Sequence, residues 1–167
     1  MGEKKEVFSS KVKYIGVANF KDFYKFCFEW LEEETGLGVK ETKYIEKVAG
    51  DSKEVEFEWE GSRAFTDYFK FNAKIKFRIL QLQNVEIQQE GKKIKTNSGN
   101  FEIKMTGTLE RDYDGKFVSS ALKKFMRGVY DKYIIPSMVD QFEDVIATKS
   151  SEFLEQAKAY LSLEGRK

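Results

Sequence analysis

The stretches EVEFEWE (residues 54–60) and FKFNAKIKFRI (residues 69–79) decide the fold. In both, apolar and polar residues alternate with a period of two, which is typical of a β-strand with one buried and one solvent-facing side. The polar positions are glutamates in the first stretch and mostly lysine or arginine in the second. An acidic row beside a basic row predicts adjacent antiparallel strands whose cross-strand charge pairs fix the register.

The chain on either side extends this pattern into a run of strands bounded by helices. The strands are predicted at 7–17, 41–48, 53–60, 66–80, 84–89, 92–97 and 100–112, with turn-forming residues between them. After the first strand, Asn19 is suited to cap a helix that Gly36 can close.

Beyond residue 115 the apolar spacing becomes helical. It predicts a helix over about 115–133 that ends before Pro136, and a long final helix that Ser137 caps. The run Thr148-Lys149-Ser150-Ser151 has poor helix propensity and predicts a kink or a break in that helix.

These elements predict a single α+β domain spanning residues 1–167. Its curved antiparallel sheet has about six to seven strands, with one helix after the first strand and two C-terminal helices packed on the sheet. In element order the chain resembles the helix-grip fold of the Bet v1 and START-like proteins, from which it departs in the extra helix and in lacking a glycine-rich loop. The resemblance implies a pocket for an apolar ligand between sheet and helix.

Composition excludes several classes of function. The 167 residues include no histidine, which excludes Ser–His and Cys–His nucleophiles and most zinc sites. A net charge of +1 argues against nucleic acid as a partner. The single cysteine, Cys27, forms no internal disulfide, and no segment is apolar over the roughly 18 residues that a transmembrane helix needs. We therefore expect a cytoplasmic protein.

The first helix carries more aromatic residues than one apolar stripe needs, because Phe26 and Phe28 lie outside the main face. Together with Trp30 they predict a ligand- or partner-binding site, unless the sheet and the C-terminal helices bury them on two sides. The polar groups expected at such a site flank the ends of the longest strands. They are Asp67, Tyr68, Arg111 and Tyr113.

The remaining motifs predict no cofactor, no metal and no catalytic residue. The sequence Asp112-Tyr113-Asp114-Gly115 resembles the start of a calcium loop but lacks the later ligands and the closing glutamate. The basic amphipathic segment 116–133 suits either core packing with a lysine-rich outer side or peripheral contact with a membrane surface.

Three hypotheses about function follow. The first is a non-catalytic binding or interaction module that holds an apolar small molecule or a partner protein. The second is a helix-grip enzyme that uses carboxylate and tyrosine groups as acid and base, although no catalytic motif supports it. The third is a structural subunit of a larger assembly.

Overall fold

The computed structural model describes residues 3–114, 124–126, 128, 129, 132 and 136–166. The described strands are β1 (Glu3–Val17), β2 (Gly38–Ala49), β3 (Ser52–Ala64), β4 (Phe69–Gln89) and β5 (Lys92–Arg111). They form one antiparallel sheet in the order β1-β5-β4-β3-β2, so β1 and β2 are its edges. The described helices are α1 (Phe20–Trp30), which continues into a π-helical turn (Leu31–Thr35), and α2 (Pro136–Arg166). The α+β class with an antiparallel sheet is confirmed.

The predicted number of six to seven strands is wrong, because two pairs of predicted strands are single long strands. Residues 69–80 and 84–89 of the predicted strands both belong to β4, where the register to β5 shifts between Leu80 and Gln83, whereas residues 66–68 lie in the turn before it. Gln81 absorbs this bulge with a φ of 54°. Residues 92–97 and 100–111 likewise belong to a single strand, β5, in which Gly99 leaves room for β4 to pass closely. Residues typical of turns therefore bend these strands without ending them.

The first helix begins and ends where its sequence predicts. The Asn19 side chain accepts a hydrogen bond of 2.9 Å from the backbone N–H of Asp22. Gly36 closes the helix with a φ of 72°, a conformation that glycine adopts without strain. Between the two, Phe23 and Cys27 are fully buried.

The final helix spans Pro136–Arg166, so that Ser137, predicted as its cap, already lies within it, and it runs unbroken through 148–151. The predicted break is therefore absent, and Ser150 is fully buried where the helix faces Gly107 of the sheet. On this helix the side chain of Val145 is exposed, whereas that of Ile146 is fully buried. The buried stripe of α2 comprises Val139, Ile146, Ser150, Phe153, Leu154, Ala157 and Leu161.

The predicted charge pairing between β3 and β4 is confirmed. Glu56 lies opposite Arg78, and Glu58 opposite Lys76. Arg78 contacts carboxylates of both Glu54 (3.1 Å) and Glu56 (3.5 Å), and Lys76 lies 3.8 Å from Glu58. The other side of the two strands is buried, as the alternation predicts, and it continues onto β5. The buried residues are Phe57, Trp59, Phe71, Ile75 and Phe77 on β3 and β4, and Ile103 and Met105 on β5.

The helix predicted over 115–133 falls for the most part outside the described residues. Its described members, 124–126, 128, 129 and 132, are helical. Among them Phe125 and Met126 are exposed, with 69% and 50% of their surface accessible.

Candidate binding surfaces

The aromatic residues predicted to form a site on α1 are half-buried, and each contacts another aromatic ring. Phe26 stacks on Tyr160 of α2 with ring centroids 4.4 Å apart. Phe28 meets Trp59 of β3 edge-on at 5.4 Å, and Trp30 lies 5.8 Å from a ring of α2. These contacts hold α1 against the sheet on one side and against α2 on the other, which corresponds to burial on two sides.

The four polar residues predicted for the site lie in the β3–β4 turn and at the end of β5, two segments that a backbone hydrogen bond from Asp112 to Tyr68 joins (2.7 Å). The Tyr113 hydroxyl donates to the backbone carbonyl of Thr66 (2.9 Å), whose own hydroxyl accepts from the N–H of Tyr68. Arg111 lies opposite Phe69 in the sheet register. Tyr68 is buried, whereas Asp67 is exposed.

The two predicted groups do not form one site. The rings of α1 contact Phe153 and Tyr160 on α2, whereas the turn that holds Tyr68 leads into Phe69, which contacts Phe142. Phe142 and Phe153 are separated by about 16 Å along the helix at 1.5 Å per residue. The aromatic and polar halves of the predicted site therefore lie at different places along α2.

A surface that the sequence did not reveal lies on β2. Every residue from Lys40 to Gly50 is exposed, on both faces of this edge strand. Three of them are large and apolar: Tyr44, Ile45 and Val48, with 44%, 40% and 77% of their surface accessible. Only the pairing pattern reveals that this strand is an edge, and so the sequence alone gave no reason to single it out.

Two hydrogen-bonded tyrosine–glutamate pairs hold side chains in place on the inner face of β2, which is the face on the same side of the sheet as the core. The Tyr44 hydroxyl donates to Glu46 (2.8 Å), and Glu41 accepts both from Tyr24 (2.9 Å) and from the indole N–H of Trp59 (3.3 Å). Burial and the hydrogen bond to Glu46 raise the pKa of Tyr44 well above 10.0. The same hydrogen bond lowers the pKa of Glu46 below 4.5. Tyr44 is thus held in one position, with its ring stacked on Phe57 at 5.8 Å.

A second unforeseen feature lies on the outer face of the sheet. Lys11 on β1, Lys104 on β5 and Lys76 on β4 are directly opposite one another on three adjacent strands. All three are exposed. A hollow of about 320 Å³ opens here, and five basic and three acidic residues line it. We call Lys11, Lys104 and Lys76 the lysine row.

Comparison of the chain with protein-family models and with curated proteins gives no match. Within the described residues, no three His, Cys, Asp or Glu side chains are grouped so as to hold a metal ion. None of the described helices has the length and apolar character needed to cross a bilayer.

Proposed function

We propose that this chain is a non-catalytic interaction module that docks an extended, acidic segment of a partner protein on the free edge of β2. The fold proposed for it is helix-grip. The position of β1 beside the last strand, with a long C-terminal helix on the inner face, supports that assignment. The observation that carries the proposed function is the exposure of β2 on both faces.

The two edges of the sheet differ in how they are covered. On the inner face of β1, Phe8 and Val12 pack against the core, and Lys5 forms a 2.8 Å ion pair with Glu143 of α2. On β2 the Tyr24 hydroxyl of α1 reaches Glu41, but every residue from 42 to 50 is exposed, and among these Tyr44 and Val48 continue the apolar inner face. An uncovered edge with unpaired backbone groups and apolar side chains is a template for a further strand.

The charges of the outer face specify the chemistry of that strand. Neighbouring strands alternate in sign, since the outward residues of β4 are largely basic, those of β3 are acidic and those of β2 are basic again. The basic residues of β2 are Lys40, Lys43 and Lys47, opposite Glu60, Glu58 and Glu54. A strand that continues this alternation presents carboxylates on the outer side and apolar side chains on the inner side.

The test uses a peptide with this chemistry, namely EVEFEWE, the sequence of residues 54–60. We expect the peptide to bind the wild-type protein in a fluorescence anisotropy titration. Val48→Asp places a negative charge at the docking edge and should weaken binding about tenfold or more. The matched control is Ile15→Asp on the other edge strand, because Ile15 and Val48 are 78% and 77% exposed. That variant should bind as the wild type does.

Three results would overturn the proposal. One is the absence of saturable binding, and another is equal weakening by the two aspartate variants. A third is equal binding of a peptide in which lysines replace the glutamates. If the free protein is a dimer that Val48→Asp dissociates, a second copy of the chain occupies the edge and the acidic partner is excluded.

A second function, the binding of an apolar small molecule, is supported by a groove between β1 and α2. The groove has a volume of about 450 Å³, and Phe8, Val12 and Leu154 supply its apolar lining beside several serines. It lies between sheet and helix, where helix-grip proteins hold their ligands. Native mass spectrometry of the purified protein would detect a retained ligand, and Ala159→Trp, which fills the groove, should abolish its retention. Unchanged retention by this variant would exclude the groove.

A further inference from the structure

We infer that the lysine row is a binding site for a compact, multiply charged anion of the diphosphate type. The inference is independent of the proposed function, because it concerns the middle of the outer face and not the β2 edge. It starts from an electrostatic anomaly. Like charges directly opposite one another on adjacent strands are destabilising, and this row contains two such pairs in succession.

The neighbouring set of residues that face one another across the strands, on one side of the lysine row, shows how this sheet otherwise arranges its charges. It alternates in sign across four strands, in the order Lys13, Glu102, Arg78, Glu56. The row on the other side contains the hydroxyl residues Ser9 and Thr106, followed by Lys74 and Glu60. Neither places two like charges together.

A single residue makes the lysine row different. Beyond Lys76 the next residues across the sheet are Glu58 on β3 and Lys43 on β2. With an acidic residue at position 104, the charges would alternate in sign across all five strands. Within the described residues, neither Lys104 nor Lys11 has a carboxylate oxygen within 4.0 Å, whereas Lys76 lies 3.8 Å from Glu58. Lys104 therefore contributes an uncompensated charge where a carboxylate would stabilise the sheet.

The surroundings limit the size of the anion. Two strand spacings of about 4.8 Å separate Lys11 from Lys76, a span that two linked phosphate groups can bridge. The hydroxyls of Ser9 and Thr106, one row away on the same strands, can donate further hydrogen bonds to phosphate oxygens. The acidic residues Glu58 and Glu102 line the same hollow and would repel a longer polyanion such as a nucleic acid.

The experiment titrates inorganic pyrophosphate into the protein at low ionic strength and follows binding by calorimetry. Lys104→Glu should reduce the affinity about tenfold or more. The same variant should have a higher Tm than the wild type, because a negative charge at position 104 would then face the positive charges of Lys11 and Lys76. Loss of binding with a raised Tm cannot result from unfolding. The matched control is Lys25→Glu on α1, which makes the same change in net charge on the other face of the sheet.

A nucleoside diphosphate, titrated in parallel, distinguishes the two sources of the diphosphate group. Tighter binding than pyrophosphate would place the diphosphate end of a nucleotide on the lysine row, and equal or weaker binding would assign the site to the free anion. Both results require that Lys104→Glu weakens the complex while Lys25→Glu leaves it within about twofold of wild type. Equal weakening by the two variants, or no saturable binding of either probe at millimolar concentration, would overturn the inference.

Discussion

Gly107 lies on the inner face of β5 directly beneath α2. A Cβ atom at this position would be 2.7 Å from Cγ2 of Ile146 and 2.9 Å from Oγ of Ser150. Both neighbours are fully buried and belong to the helix, so they have little room to move. The absence of a side chain at position 107 thus permits the close approach of helix and sheet.

We predict that Gly107→Ala lowers the free energy of unfolding by about 1–3 kcal/mol, the range for overpacked cores. Urea denaturation measures the effect. Thr108→Ala, at the next residue on the opposite face, is the control and should change stability little. Ser150→Ala in the Gly107→Ala background removes one of the two obstructing atoms and should recover part of the loss. Full stability of Gly107→Ala would contradict the packing described for α2.

At Tyr44 the predicted effect depends on pH. Because Tyr44 has a raised pKa in the folded protein, its contribution to stability is present below about pH 10.0 and is lost as the pH rises through the folded-state value. Glu46 has a lowered pKa, so its contribution is present above about pH 4.5 and is lost as the pH falls through the folded-state value. The hydrogen bond between them should stabilise the fold fully between these limits and progressively less beyond them.

Tyr44→Phe removes this hydrogen bond and keeps the ring on Phe57. The difference in stability between wild type and variant should be largest between about pH 5 and pH 10 and should shrink on either side of that window. Urea denaturation at several pH values measures the difference. The ion pair of Lys53 with Glu46 (3.4 Å) persists in both proteins and cancels in the comparison. A difference independent of pH would show that the hydroxyl contributes through packing alone.

At the scale of the elements, the charged ladder between β3 and β4 fixes which residues face each other but contributes modestly to stability. Arg78 is half-exposed and contacts Glu54 and Glu56, so that solvent screens both pairs. We expect Arg78→Gln to lower the free energy of unfolding by about 0.2–1 kcal/mol. Repeating the urea denaturation in 1 M salt should shrink the loss, because the Debye length is then about 3 Å. A loss that salt does not change would assign the role of Arg78 to its aliphatic stem.

The same strands show what the sequence predicts well. Alternation identifies β3, the first part of β4 and the buried face of each, because period-2 burial is local in the chain. The opposite charges of the two segments then predict that they pair. The cap at Asn19 and the helix end at Gly36 are local as well. Such features need no knowledge of the remaining structure.

Features that depend on distant contacts were not predictable. Whether Asn97-Ser98-Gly99 ends a strand or bends it depends on β4, which passes beside Gly99. Whether β2 is an edge depends on the order of all five strands. The lysine row becomes visible only when three strands distant in the sequence are aligned. Both proposed binding surfaces belong to this class, whereas the aromatic residues predicted on α1 pack against rings of β3 and α2.

At the scale of the whole molecule, one core connects all the described layers. Its inner side is filled by contacts among aromatic rings, such as Phe57 on Phe77 at 4.4 Å. Phe23 of α1 contacts rings of β4, β5 and α2. Within the sheet, the first strand β1 pairs with β5, the last described strand along the chain, so the two ends of the strand region are joined. Such a structure is expected to unfold in a single transition.

Phe153 provides the test, because it is fully buried on α2 and its ring lies 5.8 Å from Trp30 of α1. Phe153→Ala should lower the free energy of unfolding by about 3–5 kcal/mol, since the surrounding rings cannot close the space that the phenyl group leaves. The control is Leu163→Ala on the same helix, where the side chain is 59% exposed and the change should be small. Tryptophan fluorescence, which reports on Trp30 and Trp59, and circular dichroism, which reports on helix and sheet together, should give the same transition midpoint in each variant. If the two signals separate in Phe153→Ala, α2 detaches before the sheet unfolds, and the helix and the sheet are two units of stability with an interface centred on Phe153.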